Sequence, residues 1–131
     1  MVTRNPILTI TGSDSIGGSG IQADIKTISE LGDNAATSIT SITVQTTLGI
    51  QEFFDIPASI VSGQIEAIFN DVQPHIVKIG MIRNVDVLDA IVQALTKYKP
   101  RYILYDTIIY SSSGELLMDN VVIQAIQKTL I

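Results

Sequence analysis

The sequence contains no cysteine and no tryptophan, and only 8 of its 131 residues are Lys or Arg. Without thiols there is no disulfide framework, no thiolate nucleophile and no cysteine metal site. Positive charge never gathers into a run, and the net charge is −5 with a pI near 4.5. The basic stripe that would track phosphates is missing, so nucleic acid is not an expected partner. No apolar run approaches the roughly 20 residues of a membrane span. Met1-Val2-Thr3-Arg4-Asn5-Pro6 also lacks the long apolar core of a secretory signal. The expected location is the cytoplasm, with no membrane partner.

What the chain does have is apolar weight. Hydrophobic residues make up 46% and charged residues 16%, and the mean hydropathy is +0.37. That is high for a single domain, which must cover its surface with polar groups. Strands buried on both faces of a parallel sheet would account for it, as would apolar surface reserved for a partner or a further segment.

Periodicity gives the element order. Ile7-Leu8-Thr9-Ile10-Thr11 reads as a buried strand, and a glycine-rich turn follows from Gly12 to Gly20. Ile21, Ile25, Ile28 and Leu31 recur at helical spacing, and Gly32 supplies the stop. A second strand is expected over Ala36 to Val44, broken at Gln45-Thr46-Thr47-Leu48-Gly49. Phe53, Phe54 and Ile56 form a short extended piece, with Pro57 at the first position of a helix that turns Val61, Ile65, Ile68, Phe69 and Val72 to one face. Ile76-Val77-Lys78-Ile79 is a third core strand ending at Gly80. Asn84 caps a helix with Leu88, Ile91, Val92 and Leu95 inside. Tyr102 to Tyr105 is expected as a fourth core strand, and a polar loop, Ser111-Ser112-Ser113-Gly114, leads to a last helix through Val121, Val122, Ala125, Ile126 and Leu130.

Alternating strands and helices imply right-handed crossovers and a mainly parallel α/β sheet. Ligands gather at the carboxyl ends of such strands. The loops that begin at Gly12, Gln45, Gly80 and Asp106 therefore define a candidate rim.

Each rim residue has a plain reading and a chemical one. The glycine turn can bring backbone close to a ligand, with the next helix offering N–H groups to an anion, or it is a tight turn with no ligand. It is no phosphate loop of the Gly-Lys-Ser/Thr kind. Asp24 either compensates the helix dipole or accepts a hydrogen bond from a ligand. Gln45 offers donors and an acceptor that can read the edge of a heteroaromatic ring, or is an ordinary loop amide. Asp106 is a candidate phosphate-side or metal-side acid, or a cap. Met81 can lie against a flat ring or simply fill core. His75 has no partner at a telling spacing and is read as a surface residue, not a base.

Leu8-Thr9-Ile10-Thr11-Gly12-Ser13-Asp14, Gly17 to Thr27, Val44 to Gly49, Val77-Lys78-Ile79-Gly80-Met81, Asp106-Thr107 and Ser113 to Leu117, taken in order, resemble the hydroxymethylpyrimidine and phosphomethylpyrimidine kinases of thiamine biosynthesis. The resemblance implies a three-layer αβα ribokinase-like fold, here incomplete and confined to the N-terminal, substrate-binding half, with residues 1–131 as one domain. It implies an aminopyrimidine site at Gly12, Ser19, Asp24, Thr43, Gln45, Met81 and Ile108, and a homodimer. ATP and Mg2+ are implied for full-length members. The family's Asn-x-x-Glu segment and late Gly-Thr-Gly motif do not occur here. No catalytic residue and no metal site is therefore expected in this chain, nor binding of ATP and Mg2+ by it alone. A lost anion-hole donor by itself typically costs about 10²–10³ in rate. Ser15-Ile16, Thr46 and Asp33-Asn34 depart from the family's usual residues. The alternatives are a non-catalytic pyrimidine-binding module, a truncated remnant, and a kinase of the pyridoxal type.

Overall fold

A computed structural model describes residues 5–130. The elements run β1 (Ile7–Ser13), α1 (Gly20–Glu30), β2 (Ala35–Thr46), β3 (Gly49–Asp55), α2 (Ala58–Asp71), β4 (Ile76–Ile79), α3 (Val85–Tyr98), β5 (Tyr102–Tyr105) and α4 (Asn120–Thr129). One five-stranded sheet has the order β3-β2-β1-β4-β5. All neighbours are parallel except β2 and β3, which form an antiparallel hairpin.

Alternation along the strands decides which helix lies where. Leu8 and Ile10 of β1 and Val77 and Ile79 of β4 are fully buried, and they join one core with Val61, Ile65 and Phe69 of α2. Leu88, Ile91 and Leu95 of α3 and Val122 and Ile126 of α4 complete it. Each such side chain contributes about 1.5–3 kcal/mol by leaving water. The ring of Tyr98 stacks on that of Phe69, with centroids 4.6 Å apart. Helix α1 packs on the opposite face, over β1 and β2.

The Asn84 and Pro100 signals act as read. Asn84 caps α3, its side chain accepting from the Val87 N–H at 2.9 Å. Asp86 in the first turn and Lys97 in the last complement the helix dipole, and Lys99 closes the helix in the left-handed conformation (φ 47°) just before Pro100. Asp119 caps α4 in the same way through the Val122 N–H at 3.1 Å.

Three expectations change. Pro57 is the N-cap of α2, not its first helical residue. The short extended piece around Phe53 is part of a full strand, β3, because Gly49 turns the chain back against β2 from Thr46 onward. β5 is not a core strand: among the described residues it pairs only with β4, and Tyr102, Ile103 and Leu104 are 62%, 48% and 62% exposed. An apolar β-rich string reads the same whether or not both of its faces are covered.

Candidate functional site

The carboxyl ends of β1, β2 and β4 surround a cavity of about 250 Å³. Gly12, Ser19, Thr43, Gln45, Met81 and Ile108 all line it, so six of the expected residues come together. Ser13, Asp14, Ile50, Tyr110, Ser111 and Leu117 complete much of the wall.

Gly12 lies directly beneath the Met81 side chain. A Cβ there would collide with the Met81 methyl group, which crosses directly over the backbone. Met81 is itself fixed on both sides of its peptide: its N–H donates to Thr11 Oγ1 at 2.9 Å and its carbonyl accepts from Thr40 Oγ1 at 2.8 Å. The backbone of Met81 is therefore held in place, and its side chain is buried against Gly12.

The glycine turn owes its shape to Asp14, which sequence reasoning quoted only as part of the motif. This buried carboxylate accepts from the N–H groups of Ile16, Gly18 and Ser19 at 2.9, 2.9 and 2.8 Å, and from Ser19 Oγ at 3.0 Å. Burial works to raise its pKa. The Ile16 N–H, the Ser19 hydroxyl and the Ser19 and Gly18 N–H groups outweigh that and hold it below the usual carboxylate value. The turn N–H groups of Gly18 and Ser19 are thus already engaged. An aspartate followed at two to five residues by small residues and glycines is the signal that could have found this. Gln22 braces the turn from α1, accepting from the Asp14 N–H at 2.8 Å and donating to Ser13 Oγ at 2.8 Å.

Gln45 is held at the other side of the cavity. Its N–H donates to Ser15 Oγ and its carbonyl accepts from the same hydroxyl, each at 2.9 Å. Thr43 Oγ1 lies 2.9 Å from the Ser13 carbonyl and 3.1 Å from Gln45 Oε1, and its one proton serves either acceptor. The side-chain nitrogen of Gln45 has no partner among the described residues and remains an unspent donor at the cavity wall.

Asp24 does not join the site. It is the fifth residue of α1, beyond the first turn, and shares the sheet-facing stripe with Ile21 and Ile28. That stripe carries it under the middle of the strands: both oxygens lie 2.9 Å from Lys78 Nζ, and Thr9 Oγ1 donates at 2.5 Å. Neither of its expected roles, ligand acceptor or dipole compensation, fits that position. Asp106 lies just past β5, exposed and outside the cavity lining, its N–H donating to the Ile79 carbonyl at 2.9 Å. Burial first, and then the Asp106 charge, push the neighbouring Tyr105 hydroxyl up from its ordinary pKa. No group of three His, Asp or Glu side chains placed to share a metal ion occurs among the described residues. His75 is exposed at the far end of β4, 2.7 Å from the Asn5 side chain. No helix among the described residues is long and apolar enough to cross a membrane.

The sequence profile described as phosphomethylpyrimidine kinase matches residues 14–131. This chain belongs to that family. A hydroxymethylpyrimidine/phosphomethylpyrimidine kinase of Rhizobium meliloti (strain 1021) is 41% identical over 123 residues, covering 94% of this chain and 46% of the relative. The crystal structure of a phosphomethylpyrimidine kinase from Clostridium difficile 630 superposes with a TM-score of 0.90 at 42% identity, covering 97% of this chain and 55% of that one. Pyridoxal kinase of Bacillus subtilis, solved as an ADP complex, superposes at 0.80 with 26% identity. The architecture is the ribokinase-like α/β fold these kinases share. The chain spans about half the length of curated phosphomethylpyrimidine kinase relatives, 46–48%.

Proposed function

We propose that this chain is the pyrimidine-binding part of a kinase that moves the γ-phosphoryl group of ATP to hydroxymethylpyrimidine or its monophosphate. The observation that carries this reading is the pairing in one cavity of the unspent Gln45 amide with two apolar surfaces, Met81 and Ile108. A neutral aminopyrimidine needs both. Its ring nitrogens accept and its amino group donates along one edge, while its faces ask for apolar contact. Gln45 Nε2 would donate to a ring nitrogen, and the Thr43–Gln45 segment would supply acceptors for the exocyclic amino group. The cavity, about 250 Å³, is smaller than the ~300–1,000 Å³ that hold drug-sized ligands. One substituted ring suits it better than a nucleotide. No lysine or arginine lines it among the described residues, so nothing there favours a highly charged ligand.

Phosphoryl transfer rests on positioning and on electrostatic stabilisation of the moving group. In this reading residues 1–131 are one substrate-binding unit, and ATP and Mg2+ are held by groups outside this sequence, with Asp106 on the phosphate side. No residue of the chain carries the transfer step alone. A homodimer and a cytoplasmic setting belong to the same reading. The exposed strip of Ile42, Val44 and Phe54 on the β2–β3 hairpin supports the dimer, and sedimentation of the purified chain tests it.

Calorimetry with hydroxymethylpyrimidine, with pyridoxal titrated in parallel, tests the ligand. A coupled assay for ADP release, with and without the C-terminal half of a full-length relative, tests the enzyme. Heat with the pyrimidine and no turnover by the chain alone is expected. Robust turnover by the 131-residue chain would overturn the division of labour. Absence of heat, or stronger heat with pyridoxal, would overturn the ligand.

A further inference from the structure

One wall of the cavity comes from a segment with little regular structure. Residues 106–119 follow β5, and Ile108, Tyr110, Ser111, Ser112 and Leu117 all face the cavity. Tyr110 and Leu116 form an isolated antiparallel bridge, the Ser111 N–H donates to the Glu115 carbonyl at 2.9 Å, and the Gly114 N–H donates to the Ser111 carbonyl at 3.0 Å. The segment is thus a small hairpin whose tip holds Ser111 to Gly114.

Its base is anchored and its tip is clasped. At the base, Arg83 donates to the Leu117 carbonyl at 3.4 Å, pairs with Asp55 at 2.9 Å and lies 3.7 Å from the centre of the Phe53 ring. At the tip, Glu115 reaches across to the β2–β3 hairpin, where its Oε1 accepts from the Ile50 N–H at 3.0 Å. Its Oε2 accepts from Ser113 Oγ at 2.6 Å and from Ser111 Oγ. The opposing residue, Gly49 (φ +147°), has room for this only without a side chain: a Cβ would meet Glu115 Oε1. Glu115 itself is not part of the cavity wall.

We infer that Glu115 is the positioning residue of this site, clasping the 110–116 hairpin to the β2–β3 turn so that Ile50 and Ile108 to Leu117 close the cavity over the ring. This rests on the pyrimidine reading for its ligand but on the geometry alone for the clasp. The Ser111 and Ser113 hydroxyls and the Ile50 N–H hold the carboxyl down to about pKa 2. The clasp is therefore charged at neutral pH.

Amide hydrogen exchange on the ligand-free 131-residue chain reads the clasp directly. Losing an acceptor for a charge-assisted bond at a part-exposed site is expected to speed exchange at Ile50 about tenfold in Glu115→Ala. The amides of β1 and β4 should be unchanged. Glu115→Gln keeps an acceptor and should stay within about threefold of the parent. Should Glu115→Ala fail to fold, Ser113→Ala, which removes one donor to the carboxylate, should speed Ile50 exchange in the same direction by a smaller factor. Unchanged Ile50 exchange, or a rise spread evenly over the sheet, would overturn the clasp. The ligand arm is calorimetry: if the closed cavity falls to a tenth of the population, the Kd for hydroxymethylpyrimidine rises about tenfold. A parent chain that gives no heat at all sinks the pyrimidine reading, and the clasp is then decided by exchange alone.

Discussion

At Asp14 four donors converge on one carboxylate, and the glycine turn takes its shape from them. Asparagine keeps the size but replaces one acceptor oxygen with a donor that faces the N–H groups of the turn. Asp14→Asn is expected to lower stability by about 1–3 kcal/mol, the cost of leaving buried donors unmatched, measured by urea denaturation. The pH dependence has a definite sign. The folded pKa lies below the ordinary value of 3.8, so the stabilisation is complete above that value. It is lost as pH falls through the lowered one. Melting temperature should be insensitive to this carboxylate from pH 8 to pH 5 and should drop below about pH 4, a drop that Asp14→Asn reduces. Gly12, Gln45 and Met81 were readable as a rim because each lies at the carboxyl end of a β-rich run, whereas Ser19, Thr43 and Ile108 came only through the resemblance to the kinase family. Asp24 was not legible. A carboxylate in an early helical turn suggests a role at the helix end, yet its place three residues after Ile21 and four before Ile28 puts it on the buried stripe. What it finds there, Lys78, lies 54 residues away in sequence and leaves no local trace.

Among the elements, the bond between α1 and β4 separates structure from ligand binding. Lys78 and Asp24 are 20% and 17% exposed, so the pair is largely withdrawn from water. Asp24→Asn is expected to cost about 1–2 kcal/mol, between the values for surface and fully buried pairs. The Kd for hydroxymethylpyrimidine should move less than about twofold, within the spread for surface changes remote from a site. Thermal melts and calorimetry on the same sample check both numbers, and a large loss of affinity at unchanged stability would return Asp24 to the site. The elements themselves were legible where period and punctuation agreed, as in α3, which runs from its Asn84 cap to Lys99, just before Pro100. The β2–β3 hairpin was half seen. Thr47-Leu48 carries none of the Asn-Gly or Asp-Gly turn chemistry that announces a two-residue reversal.

For the whole molecule, the two faces of the sheet are unequally covered. Helices α2, α3 and α4 share one core, while α1 alone packs on the other face, over β1 and β2. Beside α1, Tyr102 and Leu104 stand opposite Ile76 and Lys78 on a bare strip, and the outer edge of β5 is unpaired among the described residues. Parallel sheets are normally covered on both faces, and open apolar edges invite association. Leu104→Lys is expected to slow aggregation at high concentration, followed by light scattering. Its effect on melting stability should stay within about 0.5 kcal/mol, as for exposed positions generally. The high mean hydropathy, +0.37, announced this surplus of apolar surface without locating it. Composition counts side chains, and only the strand order says which are left uncovered.

The site itself is tested most directly by amide NMR during titration with hydroxymethylpyrimidine. Shifts concentrated at Gly12, Ser19, Gln45, Met81 and Ile108, with Asp24 and Lys78 nearly still, are the expected result. No response at millimolar ligand, or a response centred on another face of the sheet, would contradict it.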